Sequence, residues 1–113
     1  MHEMSLAESV IELVEHRARR EGCQRVKTVR LEIGKLSGVE PDAMRFCFDA
    51  VTGGTLAEGA ALDIIEEEGR AWCFDCSRPT PLSARSDPCP ECGGYHMRLD
   101  EGLAMRVKEL EIE

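Results

Sequence analysis

Two Cys-x-x-Cys motifs constrain the fold of this chain more than any other feature. Cys73 and Cys76 form the first motif and Cys89 and Cys92 form the second, with 12 residues between them. A Cys-x-x-Cys turn directs two thiolates at one point, so two facing turns complete a tetrahedral site with four sulfur ligands. The motifs therefore predict a structural zinc site, although the interval between them is shorter than the commonest one in zinc proteins.

Other uses of these cysteines compete with zinc. Two disulfides would need an oxidising compartment, and the opening Met-His-Glu-Met-Ser lacks the basic and apolar regions of a signal peptide. A catalytic dithiol would explain one motif and leave the other without a role. Iron stays as the alternative metal, because four sulfur ligands suit iron as well as zinc. We expect a cytoplasmic protein.

Composition excludes several classes of function. The 113 residues carry a formal net charge of −8, which argues against a lysine- and arginine-rich footprint on nucleic acid. No apolar run approaches 18 residues, so we expect no membrane-spanning segment. The sequence shows no nucleophile–base pair, no phosphate-binding loop and no open catalytic metal site, so we predict that the protein is not an enzyme.

Hydrophobic periodicity predicts an α+β fold. Ser5 and Glu8 fit a capping box at the start of a first helix, and the later segments alternate or recur with helical spacing. The predicted helices are Ser5–Glu21 and 41–51, and the predicted strands are 25–33, 61–67, 97–99 and 104–112. We expect about three antiparallel strands with two helices on one face. Residues 1–70 and 103–113 would form this domain, and residues 71–102 would form an inserted zinc-ribbon-like lobe.

The amino terminus is a second candidate metal site. The α-amine of Met1, the deprotonated amide of His2 and the His2 imidazole form fused chelate rings around one cation. This leaves the next coordination position to Glu3 or to a side chain from elsewhere. Planar nitrogen and oxygen donors suit Ni(II) or Cu(II). The competing interpretation is a solvated histidine near a flexible terminus.

The whole chain resembles the HypA/HybF family of hydrogenase maturation factors. The similarity lies in Met1–Ser5, in the stretch Val29-x-Leu31-x-Ile33-Gly34-x-Leu36-Ser37-x-Val39-x-Pro41, in Phe46-x-Phe48, in Glu58-Gly59-Ala60-x-Leu62 and in the paired cysteine motifs. The resemblance implies a nickel metallochaperone with Ni(II) as its cargo, bound by Met1, His2 and Glu3. It also implies structural Zn(II) held by Cys73, Cys76, Cys89 and Cys92.

The same resemblance implies partners and leaves some points open. The partners would be a HypB-like GTPase, the large-subunit precursor of a [NiFe]-hydrogenase and, in some bacteria, urease accessory proteins, with the protein a monomer or weak homodimer. His16, His96 or a second protomer could supply a remaining nickel ligand, and Glu40 falls where the family often has an acidic residue linked to nickel or docking. A zinc-ribbon adaptor without nickel delivery and an iron electron carrier are the competing functions.

Overall fold

The computed structural model describes residues 2–113, and Met1 lies outside the described residues. Two helices and six strands follow one another along this part of the chain. Their bounds are α1 His2–Arg20, β1 Val26–Gly34, α2 Pro41–Val51, β2 Ala61–Glu67, β3 Gly69–Cys73, β4 Arg78–Leu82, β5 Met97–Glu101 and β6 Met105–Ile112. The predicted α+β class is confirmed by this order of elements and by the antiparallel pairing described below.

The chain divides into two compact units. The first contains Met1–Leu31, Val39–Ile65 and Arg106–Glu113, and the second contains Glu32–Gly38 and Glu66–Met105. The second unit thus includes a short segment from the first third of the chain in addition to the cysteine motifs. The boundaries 1–70, 71–102 and 103–113 stay a prediction about functional domains.

Helix α1 begins earlier than the sequence analysis predicted. The predicted capping box at Ser5 is wrong, because the helix already includes His2 and places Ser5 on its exposed side. The carboxyl-terminal end of α1 is closed by backbone hydrogen bonds. Gly22 adopts a φ of +71°, the amide of Cys23 donates to Ala18 O at 3.1 Å, and the amide of Gly22 donates to Arg19 O at 3.0 Å. These bonds form a Schellman motif, which glycine permits because it has no Cβ.

Helix α2 occupies the predicted range. Pro41 stands in its first turn, where its missing amide hydrogen costs nothing. The preceding residue, Glu40, is the N-cap, and its carboxylate accepts a hydrogen bond from the amide of Asp42 at 2.9 Å. Met44 and Phe48 are fully buried, whereas Val51, the last residue of the helix, is only half-buried.

The core of the first unit is apolar and formed by both helices and β1. Helices α1 and α2 contact each other. Strand β1 alternates, with one set of side chains removed from solvent and Arg30 of the other set partly exposed and paired with carboxylates. The buried residues are Ala7, Val10, Ile11, Val14, Ala18, Val26, Val29, Leu31, Met44, Cys47, Phe48, Ala57 and, from β6, Val107.

One sheet has the strand order β2-β1-β6. Along β1 and β6, hydrogen-bonded residues run in opposite senses, because Gly34 N donates to Ala104 O and Glu113 N donates to Arg25 O. This is an antiparallel pair. Along β1 and β2, the contacts of Arg30 with Asp63 and of Lys35 with Glu67 run in the same sense. That order is the pattern of a parallel pair joined by the α2 crossover, so the predicted antiparallel arrangement describes β1 and β6 but not this pair.

The second sheet lies within the second unit and has the order β4-β3-β5, with antiparallel pairs throughout. Strands β3 and β4 were not predicted. Pro79 and Pro81 obscure β4, yet both are tolerated there because β4 is an edge strand and their nitrogens face away from β3. The small core contains Leu36, Ala71 and Leu82, with Met97 and Leu99 packed against it. Among residues 2–113, no helix has both the length and the apolar character needed to cross a membrane.

Candidate metal centres

The four sulfur atoms of the Cys-x-x-Cys motifs converge on one point. All lie within 4.8 Å of one another, with 3.7 Å between the sulfurs of Cys73 and Cys92 and 3.9 Å between those of Cys76 and Cys89. A tetrahedral site with metal–sulfur bonds of about 2.3 Å has sulfur–sulfur edges of about 3.8 Å. The thiols therefore already have the spacing that a tetrahedral metal requires, which is far longer than a disulfide bond.

Matching turns position the two pairs of thiols. Cys73 ends β3, and its sulfur accepts a hydrogen bond from the amide of Cys76 at 3.4 Å. The residue after the second cysteine of each motif has a positive φ, +53° for Ser77 and +73° for Gly93. The second turn is closed by the amide of Gly93, which donates to Cys89 O at 2.8 Å. Because both turns bend alike, each directs its two sulfurs at the same centre.

Their surroundings give the thiols of Cys89 and Cys76 very different pKa values. The amides of Cys92 and Glu91 point at the sulfur of Cys89 and lower the pKa of this thiol to about 6. Hydrogen bonds with the thiols of Cys92 and Cys73 raise the pKa of Cys76 to about 12. In the metal-free protein, the Cys89 thiol would thus lose its proton at a lower pH than the Cys76 thiol. A divalent cation replaces those protons, because it is the thiolate form that binds metal.

The amino-terminal site is organised around the carboxylate of Glu3. Its Oε2 atom lies 3.5 Å from Nδ1 of His2 and accepts a hydrogen bond from the backbone amide of Glu40 at 3.3 Å. The Glu3 side chain is 19% exposed and that of His2 is 61% exposed. The Glu40 amide, with smaller contributions from the Glu3 backbone and His2, holds the pKa of the Glu3 carboxyl below its usual range.

The predicted nickel ligands are therefore only partly described. His2 and Glu3 are brought together, and Met1 lies outside the described residues. His16 is exposed on the same helix as His2, and 14 residues of helix place it about 21 Å along the axis. Within one chain, His16 is too far from His2 to share its metal ion.

His96 lies in the second unit, close to the cysteine turns. Its Nδ1 atom is 3.5 Å from Oδ1 of Asp75, its ring centroid is 4.9 Å from that of Phe74, and its side chain is 70% exposed. Its role as a remaining nickel ligand stays a prediction. Cys23 and Cys47 are free thiols, and neither belongs to a metal-ligating cluster among residues 2–113.

Sequence reasoning missed how Glu40 contributes. The residue contacts the amino terminus through its backbone amide, while its side chain caps α2. A backbone donor has no side-chain signature, so the contact between Glu3 and Glu40 is invisible in the sequence. The one available signal was Pro41, which marks the start of a helix and hence the residue before it as a cap.

A cluster of four converging thiols in an α+β chain that carries paired donors at its first helix defines a class of small metal-binding proteins. The family model described as "Hydrogenase/urease nickel incorporation, metallochaperone, hypA" matches residues 1–112. The chain therefore belongs to the HypA family of nickel metallochaperones.

Relatives and solved structures agree with this family. Proteins named "Hydrogenase maturation factor HypA" from Bradyrhizobium sp. (strain ORS 278) and Dechloromonas aromatica (strain RCB) are 56% and 55% identical to this chain, and each comparison covers all of both chains. The solution structure of the Ni metallochaperone HypA from Helicobacter pylori is 27% identical and has a TM-score of 0.69, covering 97% of this chain and 96% of that one. A second solution structure, of a HypA protein, is 28% identical with a TM-score of 0.71, covering 100% and 97%.

Proposed function

We propose that this protein binds Ni(II) at its amino terminus and delivers it to the large-subunit precursor of a [NiFe]-hydrogenase. The ligands are the amine of Met1, the amide and imidazole of His2, and the carboxylate of Glu3. Support comes from the family match over residues 1–112 and, above all, from the Glu3 carboxylate held beside His2 by the Glu40 amide. The proposal takes Met1 as the first residue of the mature chain, which an intact-mass measurement checks.

The helical start of α1 favours this ligand set. The first four amides of a helix have no carbonyl partner within that helix. His2 and Glu3 stand in this first turn. Because no intrahelical hydrogen bond is lost there, the His2 amide can give up its proton to nickel at little cost to the fold. A planar arrangement of amine, amide and imidazole nitrogens is a geometry that Ni(II) accepts.

The four thiols have a different role in this proposal. Cys73, Cys76, Cys89 and Cys92 bind Zn(II) as a closed structural site, because four protein ligands leave no position for a substrate or cargo. Their sulfur spacing suits that ion. The division separates a permanent metal from a transferable one, and the protein performs no reaction of its own.

The partners follow from the family and its relatives. The family description names hydrogenase and urease, and the relatives are named hydrogenase maturation factors. We propose a HypB-like GTPase and the hydrogenase large-subunit precursor as cytoplasmic partners, with urease accessory proteins as a second route. We also propose that the protein is a monomer or a weak homodimer.

A nickel titration tests the proposal. Isothermal titration would compare the native chain with His2→Ala, with a form extended by one residue before Met1, and with His16→Ala as a control on the same helix. We expect the native chain and the control to bind about one Ni(II) ion each, because the donors of the terminus form one chelate. The other two forms should lose that binding.

A second function remains in competition. If all four forms bind nickel equally, or none binds it, the terminus is not a nickel site and the zinc-ribbon adaptor becomes the better description. Optical absorption separates zinc from iron in the thiolate site, because ferric thiolate centres are coloured and zinc thiolate is not. Colour in the purified native protein would favour the electron carrier instead.

A further inference from the structure

An open groove runs along the first unit beside α1 and β6. It has a volume of about 460 Å³. The last turns of α1 form one wall, and the end of β6 forms the other. The lining residues are Arg17, Ala18, Arg20, Glu21, Leu110 and Ile112. The groove is distant in the chain from the proposed nickel donors of the first turn of α1, and it contains no cysteine.

Strand β6 offers hydrogen-bonding groups along this groove. In the part of the chain that the structure describes, β6 is the outer strand of its sheet and pairs with β1 alone. Strand β1 lies on one side of β6, so the backbone groups on the other side of β6 have no strand partner among residues 2–113. Backbone groups alternate in direction along a strand, so about every second residue of β6 directs its groups outward. An exposed row of this kind accepts a further strand.

Exposed apolar side chains lie along the same surface. Ile112 is 39% exposed in the groove, and Leu13 is 40% exposed one turn before Arg17 on the same side of α1. Leu110 shares the groove side of β6 with Ile112, since side chains two residues apart point alike. A partner that covered these residues would remove apolar surface from water.

The charge of the groove opposes that of the whole molecule. Arg17 and Arg20 line it, against the single acid Glu21. Among residues 2–113, neither Arg17 nor Arg20 forms an ion pair, although the chain has a net charge of −8. The two guanidinium groups are therefore available to an acidic partner.

We propose that this groove binds an extended acidic segment of a partner protein as an added strand beside β6. Main-chain hydrogen bonds to the outer edge of β6 would supply affinity, and alternate side chains of the segment would enter the groove. Those side chains are acidic or apolar, to match Arg17, Arg20 and Leu110. The side chains between them face Glu109 and Glu111 on the open side of the sheet and are uncharged or basic.

A second copy of this chain fits the edge less well. If β6 paired with β6 of another copy, the carboxylates of Glu109 and Glu111 would meet their counterparts on one face. Like charges opposite each other destabilise a strand pair. Charge complementarity therefore favours a different, acidic partner.

Two synthetic peptides test the proposal on the full-length, zinc-loaded protein. One has threonine at every odd position and glutamate, leucine, glutamate and valine at the even positions, and the other has lysine in place of each glutamate. Amide chemical shifts in ¹⁵N-labelled protein report binding. We expect the acidic peptide to shift amides of β6 and of the last turn of α1. It should bind about tenfold more tightly than the basic one, as two partly screened ion pairs allow.

Variants locate the effect. The double variant Arg17→Glu/Arg20→Glu should reverse the preference between the peptides. Arg19→Glu changes the same helical turn but not the groove lining, and it should keep the preference of the native protein. The amide spectrum of each variant confirms that it has folded.

Other results would overturn the proposal. These are binding of neither peptide, equal binding of both, shifts that map elsewhere, or an equal effect of Arg19→Glu. Concentration-dependent shifts of β6 without peptide would identify a second copy as the occupant, contrary to the proposal. None of these measurements involves nickel, so their failure leaves the proposed delivery function untouched.

Discussion

Ser77 holds a backbone conformation that glycine holds in the matching turn. Its φ is +53°, and that of Gly93 is +73°. A side chain in this left-handed region crowds the neighbouring carbonyl, which Gly93 avoids. Ser77 follows Cys76 directly, so the strain lies beside the thiolate cluster. The turn thus keeps a conformation that directs Cys73 and Cys76 at the common centre, although Ser77 does not favour it.

Ser77→Gly should stabilise the protein. Relief of left-handed strain is worth roughly 1–2 kcal/mol, and the added freedom of the unfolded chain offsets roughly 0.5–1 kcal/mol of that gain. We expect the free energy of unfolding to rise by about 0.5–1 kcal/mol, measured by urea denaturation of zinc-loaded protein. Ser83→Gly is the control, because Ser83 has no positive φ and should gain nothing. Equal effects of the two changes would show that Ser77 is not strained.

The titration of the Glu3 carboxyl should be visible in the amide signal of Glu40. The lowered pKa of its carboxyl comes first from the Glu40 amide, so the carboxylate stabilises the folded state above the ordinary pKa of 4.5. This stabilisation is lost as the pH falls through the lowered pKa. In ¹⁵N spectra of nickel-free protein, the Glu40 amide should shift with a midpoint below 4.5. Glu3→Gln should remove that transition and Glu8→Gln should keep it, whereas a Glu40 amide that never titrates would contradict the contact.

At this scale, the sequence revealed the thiolate cluster better than the contacts of the amino terminus. The thiolate cluster was predictable because each pair of cysteines is local in the chain and the two turns share a pattern. The link between Glu3 and Glu40 was not predictable, because 37 residues separate its partners and one of them acts through its backbone. The predicted capping box at Ser5 was a local pattern too, but it is wrong because the helix begins at His2.

Strand β4 shows how an element can form against the preferences of its residues. It contains Pro79 and Pro81, and proline normally excludes a residue from the interior of a sheet. The two prolines pair with Trp72 and Arg70 of β3 and leave Thr80 between them, opposite Ala71. Prolines two residues apart direct their nitrogens to the same side of the strand. Because β4 is an edge strand, that side can be the one without a neighbouring strand. The sequence predicted the helices well and missed this strand, since only the register of the sheet makes its prolines harmless.

Thr80→Val should stabilise the second unit. The Thr80 side chain is 3% exposed, and within residues 2–113 its hydroxyl oxygen is buried without a hydrogen-bond partner. Valine has nearly the same shape and no polar group to satisfy, so we expect a gain of about 1 kcal/mol in urea unfolding. Thr55→Val is the matched control, because the Thr55 hydroxyl donates to Thr52 O and accepts from Ala57 N. That change should destabilise the protein, and a loss of stability in Thr80→Val would show a partner for its hydroxyl.

The two units differ in what holds them together. The first has a continuous apolar core from α1, α2 and β1, whereas the buried cluster of the second contains three residues, Leu36, Ala71 and Leu82. So small a core cannot offset the conformational entropy of its strands. In zinc-finger peptides, metal binding contributes about 10–16 kcal/mol of folding free energy. The second unit should therefore depend on its metal, and the first should not.

Removal of the metal should unfold one unit selectively. After treatment with a strong chelator under reducing conditions, amide signals of β3, β4 and β5 should lose their dispersion. Signals of α1 and α2 should keep theirs. Cys73→Ser should resemble the chelated protein, whereas Cys23→Ser, which changes a thiol outside the cluster, should resemble the native one. Cooperative loss of every signal, or of none, would contradict this difference between the units.

The position of β6 in the chain has a consequence for biosynthesis. The first unit needs Arg106–Glu113, which the ribosome makes after every residue of the second unit. All four cysteines of the thiolate cluster have therefore been synthesised, and can receive their metal, before the sheet that contains β1 acquires its third strand. Helix α1 is synthesised before the second unit, yet the first unit, which contains α1, is the last to be completed. The order of synthesis thus favours metal loading of the thiolate cluster before the first unit is finished.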